Sequence, residues 1–380
     1  MMLLLLPAVL AFLMVLFGMP SLIMLAKRKH LVDEPSESRK LHHRSIPTVG
    51  GVMIFAAVLC SGLVAMTMTE LQGEQSLKWI GVIGVSIPIF FMGLKDDIMG
   101  MSAGKKLLVH LSMGLFLVVG LGCRIENFHG LFGVTLLHPL ISHAFSLFVY
   151  IVIVNAINLI DGVDGLAGGF GMVAMGAFAW WFDATGNATA AIMAMAMMGA
   201  LGGFLVFNFH PAKIFMGDSG SLLIGLFCYV LAVGVLQSPD HPFIEGVSRP
   251  VAAMAMLAYP LVDTLRVFFL RIIKGRSPFS PDRLHIHHHL MALGWGHRLA
   301  SASIWMYSGL FVFLAFQPTS AWIGLDQTWQ FTLMLGLAFG LGSIPYLLVH
   351  TGHGQSNWTE ETNDDQSEQR ANPPGPRRVA

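Results

Sequence analysis

Three short segments of this chain combine carboxylates with glycines, one of them with amides as well, in a pattern suited to a phosphorylated ligand held through a divalent cation. In "NAINLIDGVDGLAG", Asn155 to Gly168, the residues Asn155, Asn158 and Asp161 recur every three positions. On a helix that spacing lines two amides and an acid along one stripe. Gly162 and Gly165 then let the backbone leave the helix and approach a ligand closely, with Asp164 between them. "GLKDDIMG" adds Asp96 and Asp97, and "FMGDSG" adds Asp218. Carboxylate and amide oxygens are the ligands Mg²⁺ takes, and Mg²⁺ commonly shares them with waters and substrate phosphates. Lys and Arg neutralise the remaining phosphate oxygens. The chemistry expected of such a set is phosphoryl transfer, in which positioning and charge stabilisation provide most of the catalysis. "RKLHHRSIPTVGG" from Arg39 and "HIHHHL" from His285 supply further cations and imidazoles.

These groups must be positioned by a membrane scaffold. With 54% apolar and 12% charged residues in 380, an ordinary soluble globule is excluded. A spanning helix takes about 20 apolar residues. Eleven runs qualify, near Leu3 to Ala26, Val52 to Thr69, Trp79 to Leu94, Leu107 to Cys123, Pro139 to Ile157, Gly169 to Phe182, Ala188 to Phe209, Ser221 to Leu236, Val251 to Ile273, Ala300 to Phe316 and Trp329 to Val349. Continuous runs without strict alternation predict helices rather than a barrel. The expected fold is therefore all-α and polytopic, with residues 1–352 as one membrane domain. The first run has no basic residue before it and "KRK" after it, the order of a retained helix with its N-terminus outside. On that orientation 19 of the 22 Lys and Arg fall in cytoplasmic loops or the C-terminal tail. All five acids then lie on the cytoplasmic edge, with the His segment in the longest interhelical loop there.

Blander readings apply to other features. An acid at a span's end is often only an anchor, and an Asn stripe can be polar glue between helices. Neither explains five carboxylates converging on one side. A transporter moving Zn²⁺ or Mn²⁺ along His and acids would need ionisable groups near mid-membrane on several helices. Only Asp263 lies inside a span; three residues before Arg266, it is expected in an internal ion pair or helix contact. His110, His129, His138, His143 and His350 stand alone and are expected at interfaces or in the core. Cys60, Cys123 and Cys228 have no metal-ligand spacing and are expected as buried small hydrophobes. The tail over 353–380 is polar, Pro-containing and expected to be a disordered cytoplasmic end.

"GLKDD", "NAINLIDGVDGLAGG", "PAKIFMGDSGSLLIG" and "SPDRLHIHHHL", in this order, resemble the polyprenyl-phosphate N-acetylhexosamine-1-phosphate transferase superfamily. The likeness runs through the whole membrane portion. It implies a bacterial inner-membrane enzyme moving GlcNAc-1-phosphate from UDP-GlcNAc to undecaprenyl phosphate, an early step of a cell-envelope polysaccharide. The eleventh span and the "SPDR" lead favour this branch over MraY, the peptidoglycan relative. Mg²⁺ is the implied cofactor, with Mn²⁺ as its substitute, the metal residues being Asn158 and Asp218. Asp96, Asp97, Asp161, His285, His287 and His288 match catalytic positions. Arg44, Lys106, Asn155, Asp164 and Arg283 match substrate-binding ones. His289 departs from the pattern, which has an apolar residue there. The implied partners are the two substrates and the lipid bilayer; a homodimer is left open, and no nucleic acid is called for.

Overall fold

In a membrane every backbone N–H and C=O must be satisfied within the chain, and a run of apolar residues does this as a helix. The computed structural model describes residues 2–29, 31–33, 46–68, 74–273, 275, 284–318 and 325–353. Arg44, Arg283 and the tail from 354 onward lie outside the described residues. The helices are α1 (Met2–Arg28), α2 (Gly50–Met68), α3 (Glu74–Met99), α4 (Ala103–Leu115), α5 (Pro139–Leu159), α6 (Leu166–Ala184) and α7 (Ala188–Asn208). They continue with α8 (Gly217–Leu236), α9 (Arg249–Met256), α10 (Ala258–Ile273), α11 (Ile286–Ala292), α12 (His297–Ala315) and α13 (Gln327–Leu348). Outside helices, Val32–Asp33 pairs antiparallel with Ile46–Pro47.

Among the described residues nine helices are long and apolar enough to cross a membrane, or ten when α9 and α10 count as one broken span. The difference from eleven falls on α6, which is long enough but dilutes its apolar residues with four glycines, two tryptophans and Asp183. Most of α6 is buried against protein, so it needs less hydrophobicity than a lipid-facing helix. The 76° bend between α9 and α10 has a local cause. Pro260 has no N–H for the carbonyl of Met256, where α9 ends.

Helix α8 is buried along most of its length, between α3 and α5. Helices α1, α2, α6 and α7 pack on one another beside it. The C-terminal ends of α3 and α5 therefore meet the N-terminal ends of α4 and α8 at one end of the bundle. Gly93 lets α3 close onto the first turn of α8, since a Cβ there would stand 2.6 Å from the Ser219 nitrogen. Gly217 starts α8 at φ +72°, where a side chain is strained and would run into the Asp97 carboxylate. Cys123 and Cys228 are buried as expected, whereas Cys60 is exposed on α2, a correction to the reading of all three as core. His110 meets the Tyr150 hydroxyl at 3.2 Å and His129 the Leu236 carbonyl at 2.8 Å, both packing roles.

Candidate active site

The site is built on the opening turn of α8. Helix N-termini carry unpaired N–H groups and a positive dipole end, and a carboxylate there satisfies both. Asp97, near the end of α3, does so: Oδ1 accepts from the Asp218 N–H at 2.7 Å, and Oδ2 accepts from the Ser219 N–H at 3.1 Å and hydroxyl at 2.8 Å. This fixes the turn that carries Asp218.

The Asp218 carboxylate is then held from two sides. Asn158, on the last turn of α5, donates from Nδ2 to Asp218 Oδ1 and to the Ser221 hydroxyl, each at 2.9 Å. Lys106, in the first turn of α4, donates from Nζ to Asp218 Oδ2 at 2.9 Å and also pairs with Asp96. One ammonium thus bridges two carboxylates from two other helices. All three side chains remain partly exposed, so a ligand reaches them. The two carboxylates, with the Asn158 amide that now donates to one of them, offer hard oxygens that fit Mg²⁺ once that amide turns its oxygen inward, and the ammonium standing between the carboxylates marks the spot as one for positive charge.

Not every residue of the polar stripe joins this set. Asn155 is exposed and its amide returns to the Ile151 carbonyl at 2.7 Å, so the structure does not bring it to the carboxylates. Asp161 lies in the loop after α5, half-buried. Loss of water, then the charges of Asp218, Asp97 and Asp164, push its carboxyl well above the ordinary 3.8. From 3.8 up to that raised value the folded chain keeps a proton that the unfolded chain has lost, so stability falls as pH rises through the window. Asp161→Asn should remove this slope. Thermal unfolding in detergent, followed as the pH is raised from 3.8, should show wild type weakening relative to the variant; parallel curves would refute the assignment.

The His motif forms α11 and lies over the same loop. A Cβ on Gly162 would sit 3.2 Å from His287 Nε2, and the His287 and His288 ring centroids are 4.3 Å apart. Burial, then the neighbouring His288, hold His287 well below its usual range, and among the described residues Lys106 supplies the cation beside the carboxylates. The departure from pattern, His289, points to α13, with ring contacts to Tyr346 and His350 at 5.2 and 6.1 Å. Burial and then Arg266 push it down to about 3.

Asp263, expected in an internal ion pair, pairs with Arg266 at 3.4 Å and does more. Its Oδ2 meets His285 Nδ1 at 2.8 Å and its Oδ1 accepts the Ile286 N–H at 2.8 Å, while Arg266 also holds the Leu284 carbonyl. The fully buried acid therefore anchors the start of the His motif to α10. Asp263→Ala leaves Arg266 and His285 buried without their carboxylate. Removing one partner of a buried pair costs about 3–5 kcal/mol, and the midpoint of thermal unfolding should drop accordingly; an unchanged midpoint would contradict the anchoring.

Asp164 does not join the Lys106 cluster. Its Oδ2 accepts from the Ala212 N–H at 3.1 Å and meets His210 Nδ1 at 2.7 Å, and His297 Nδ1 lies 3.7 Å from Oδ1. Sequence reading missed both histidines because each stands alone, one before Pro211 and one before Arg298.

Residues 79–236 match the model of glycosyl transferase family 4. Undecaprenyl-phosphate alpha-N-acetylglucosaminyl 1-phosphate transferase from Yersinia pestis is 31% identical over 286 residues, 74% of each chain. The chain belongs to this family. The Escherichia coli K12 enzyme of that name is 32% identical over 293 residues, 75% of this chain and 76% of that one. A probable undecaprenyl-phosphate N-acetylglucosaminyl 1-phosphate transferase of Bacillus subtilis is 33% identical over 314 residues, 80% of this chain and 82% of that one. The family 4 match runs from α3 to the end of α8, so it contains Asp96, Asp97, Lys106, Asn158, Asp161, Asp164 and Asp218, while α11 lies beyond it.

Proposed function

We propose that this multi-pass membrane protein transfers GlcNAc-1-phosphate from UDP-GlcNAc to undecaprenyl phosphate, giving GlcNAc-diphospho-undecaprenol and UMP. The observation that carries the reading is Lys106 bridging Asp96 and Asp218, with Asn158 on the far side of Asp218. The relatives bear the name of that reaction. The cluster sits where helices end, at one edge of the bundle; the Lys and Arg bias of the loops supports assigning that edge to the cytoplasm, where a soluble nucleotide meets a lipid phosphate.

Asp218 and the Asn158 oxygen would hold Mg²⁺, or Mn²⁺ in its stead. The bound ion would neutralise the diphosphate and the UMP that leaves. Lys106, freed from one carboxylate as substrate enters, takes a phosphate oxygen. The lipid phosphate already carries much of its charge near neutral pH, its second pKa being about 6, and Asp96 accepts the proton that remains. A lipid phosphate oxygen attacks the β-phosphorus. The bond from that phosphorus to the bridging oxygen breaks, and its electron pair leaves with UMP. Asp97 takes no part in bond making, since the start of α8 occupies its acceptors. Asp161 and the ring of His287 over Gly162 close the diphosphate side, with His285 and His288 setting the position of that ring. Asp164 shapes the nucleoside end through the loops it ties together. Arg44 and Arg283 complete the anion-binding set.

UMP release from purified protein in detergent, with undecaprenyl phosphate and Mg²⁺, tests the donor. Release is expected with UDP-GlcNAc. Release with UDP-MurNAc-pentapeptide in its place would transfer the chain to MraY-type chemistry.

A further inference from the structure

We propose that three side chains of α12, His297, Ser301 and Trp305, are positioning residues for the transfer reaction, holding the loop that carries Asp161 and Gly162 in place beside the carboxylate cluster. Spaced four apart, they share one face of α12. Each bonds the main chain in or just after that loop. The Asp164 N–H donates to His297 Nδ1 at 3.3 Å, the Ser301 hydroxyl donates to the Asp164 carbonyl at 2.9 Å, and Trp305 Nε1 donates to the Leu166 carbonyl at 3.3 Å. A loop has no helix or sheet ladder to satisfy its N–H and C=O groups, so the side chains that take them up fix its path. Asn208, at the end of α7, accepts the Gly165 N–H at 2.9 Å and donates to the Ile214 carbonyl at 2.9 Å, which extends the tie toward the turn that carries Asp218.

The surroundings are shaped to this stripe. A Cβ on Gly169 would run into the Trp305 indole, so the glycine makes room for the ring against the start of α6. The indole packs on Phe209 with centroids 5.5 Å apart, and Ser301 is fully buried. The Asp164 carboxylate, 2% exposed, turns to His210 and the Ala212 N–H. Both main-chain groups of Asp164 and its side chain are therefore engaged in holding the loop, which makes Asp164 part of the tie. What the tie keeps in place is Asp161, three residues earlier, and Gly162, over which the His287 ring lies. The α12 residues act through that loop and not on a substrate. All three lie beyond residues 79–236, so a helix outside the family 4 match completes the site within it. The inference rests on the transfer reaction proposed above, and the main chain of the loop offers a readout apart from that reaction.

Ser301→Ala and Trp305→Phe each remove one donor, and His297→Phe removes the acceptor while keeping a ring on His210, with which His297 stacks at 4.6 Å. Ser308→Ala is the control, a buried serine farther along α12 whose hydroxyl returns to the Ile304 carbonyl at 2.9 Å. Hydrogen exchange of purified protein in detergent, read on peptides over residues 158–168, is paired with UMP release from UDP-GlcNAc. Exchange in these peptides should rise about tenfold in each of the three stripe variants. Their kcat should fall about tenfold with KM for UDP-GlcNAc held within about threefold, on a scale where about 1 Å of misplacement costs about 10²-fold. The double variant Ser301→Ala with Trp305→Phe should lose little beyond the slower single, because both act through one loop. Ser308→Ala should match wild type in both readouts. Unchanged exchange in the stripe variants overturns the proposal whatever the reaction is. So does faster exchange with unchanged kcat, or losses that multiply in the double variant. Faster exchange in the stripe variants of a protein that releases no UMP from UDP-GlcNAc would instead overturn the transfer reading and leave the α12 tie standing.

Discussion

Asp218→Ala lowers the rate of UMP release by about 10³- to 10⁴-fold, the range seen when a central charged group of a preorganised site is removed. The size follows from how many groups meet at this carboxylate. Lys106 loses one of its two anionic partners, Asn158 loses an acceptor, and the oxygen set suited to a divalent cation loses its central member. Lys106 is then left to Asp96 alone, a tighter pairing that keeps the ammonium from a phosphate. The fold should survive, because the first turn of α8 is held through backbone N–H groups that Asp97 binds, not through the Asp218 side chain. Asp218→Asn keeps the shape and loses the charge, and should lose the same rate. Activity within tenfold of wild type in either variant, at an unchanged unfolding midpoint, would remove Asp218 from the centre of the site.

Asp96→Asn, which removes the proton acceptor, and Asp97→Ala, which releases the turn that positions Asp218, should each suppress turnover by about 10²-fold or more, and should differ in stability. Asp97 satisfies two backbone donors and one hydroxyl at the start of a buried helix. Unsatisfied buried donors cost about 1–3 kcal/mol each, and a lost N-cap about 1 kcal/mol, so Asp97→Ala should lower the unfolding midpoint by several degrees. Asp96 is partly exposed and its one ion pair, with Lys106, contributes little to folding. Asp96→Asn should therefore unfold like wild type while turning over slowly. Equal midpoints for the two variants would contradict this division of the acid pair.

The sequence carried the parts of this site that are local. Asn158 and Asp161 stand on or just past one helix end, Asp96 and Asp97 on another, and Asp218 opens a third; apolar runs and flanking glycines mark all three. Which acid of the pair does what was not legible, because it depends on α8 arriving beside α3, a contact between residues more than a hundred positions apart. The stripe argument failed at Asn155 for a similar reason: three-residue spacing drifts around a helix of 3.6 residues per turn, and only Asn158 ends up facing α8. Asp263 read correctly as an ion-pair partner, yet its hold on His285 bridges a loop that no periodicity describes. His210 and His297 gave no signal, since isolated histidines become a pair only through the packing of α12 against α6. The span count diverged at α6, where burial in protein relaxes the need for apolar composition.

Transfer of a phosphosugar, rather than of the sugar alone, is the role we propose for the lysine-bridged carboxylates. UDP-GlcNAc labelled with ³²P at the β-phosphate separates the two chemistries in one assay with undecaprenyl phosphate and Mg²⁺. Label moving into the lipid phase, one for one with unlabelled UMP in the aqueous phase, is the expected result. Label remaining in the water as UDP, with GlcNAc on the lipid, would show that the bond at the sugar carbon is the one broken, and would contradict the site described for Asp96, Lys106 and Asp218.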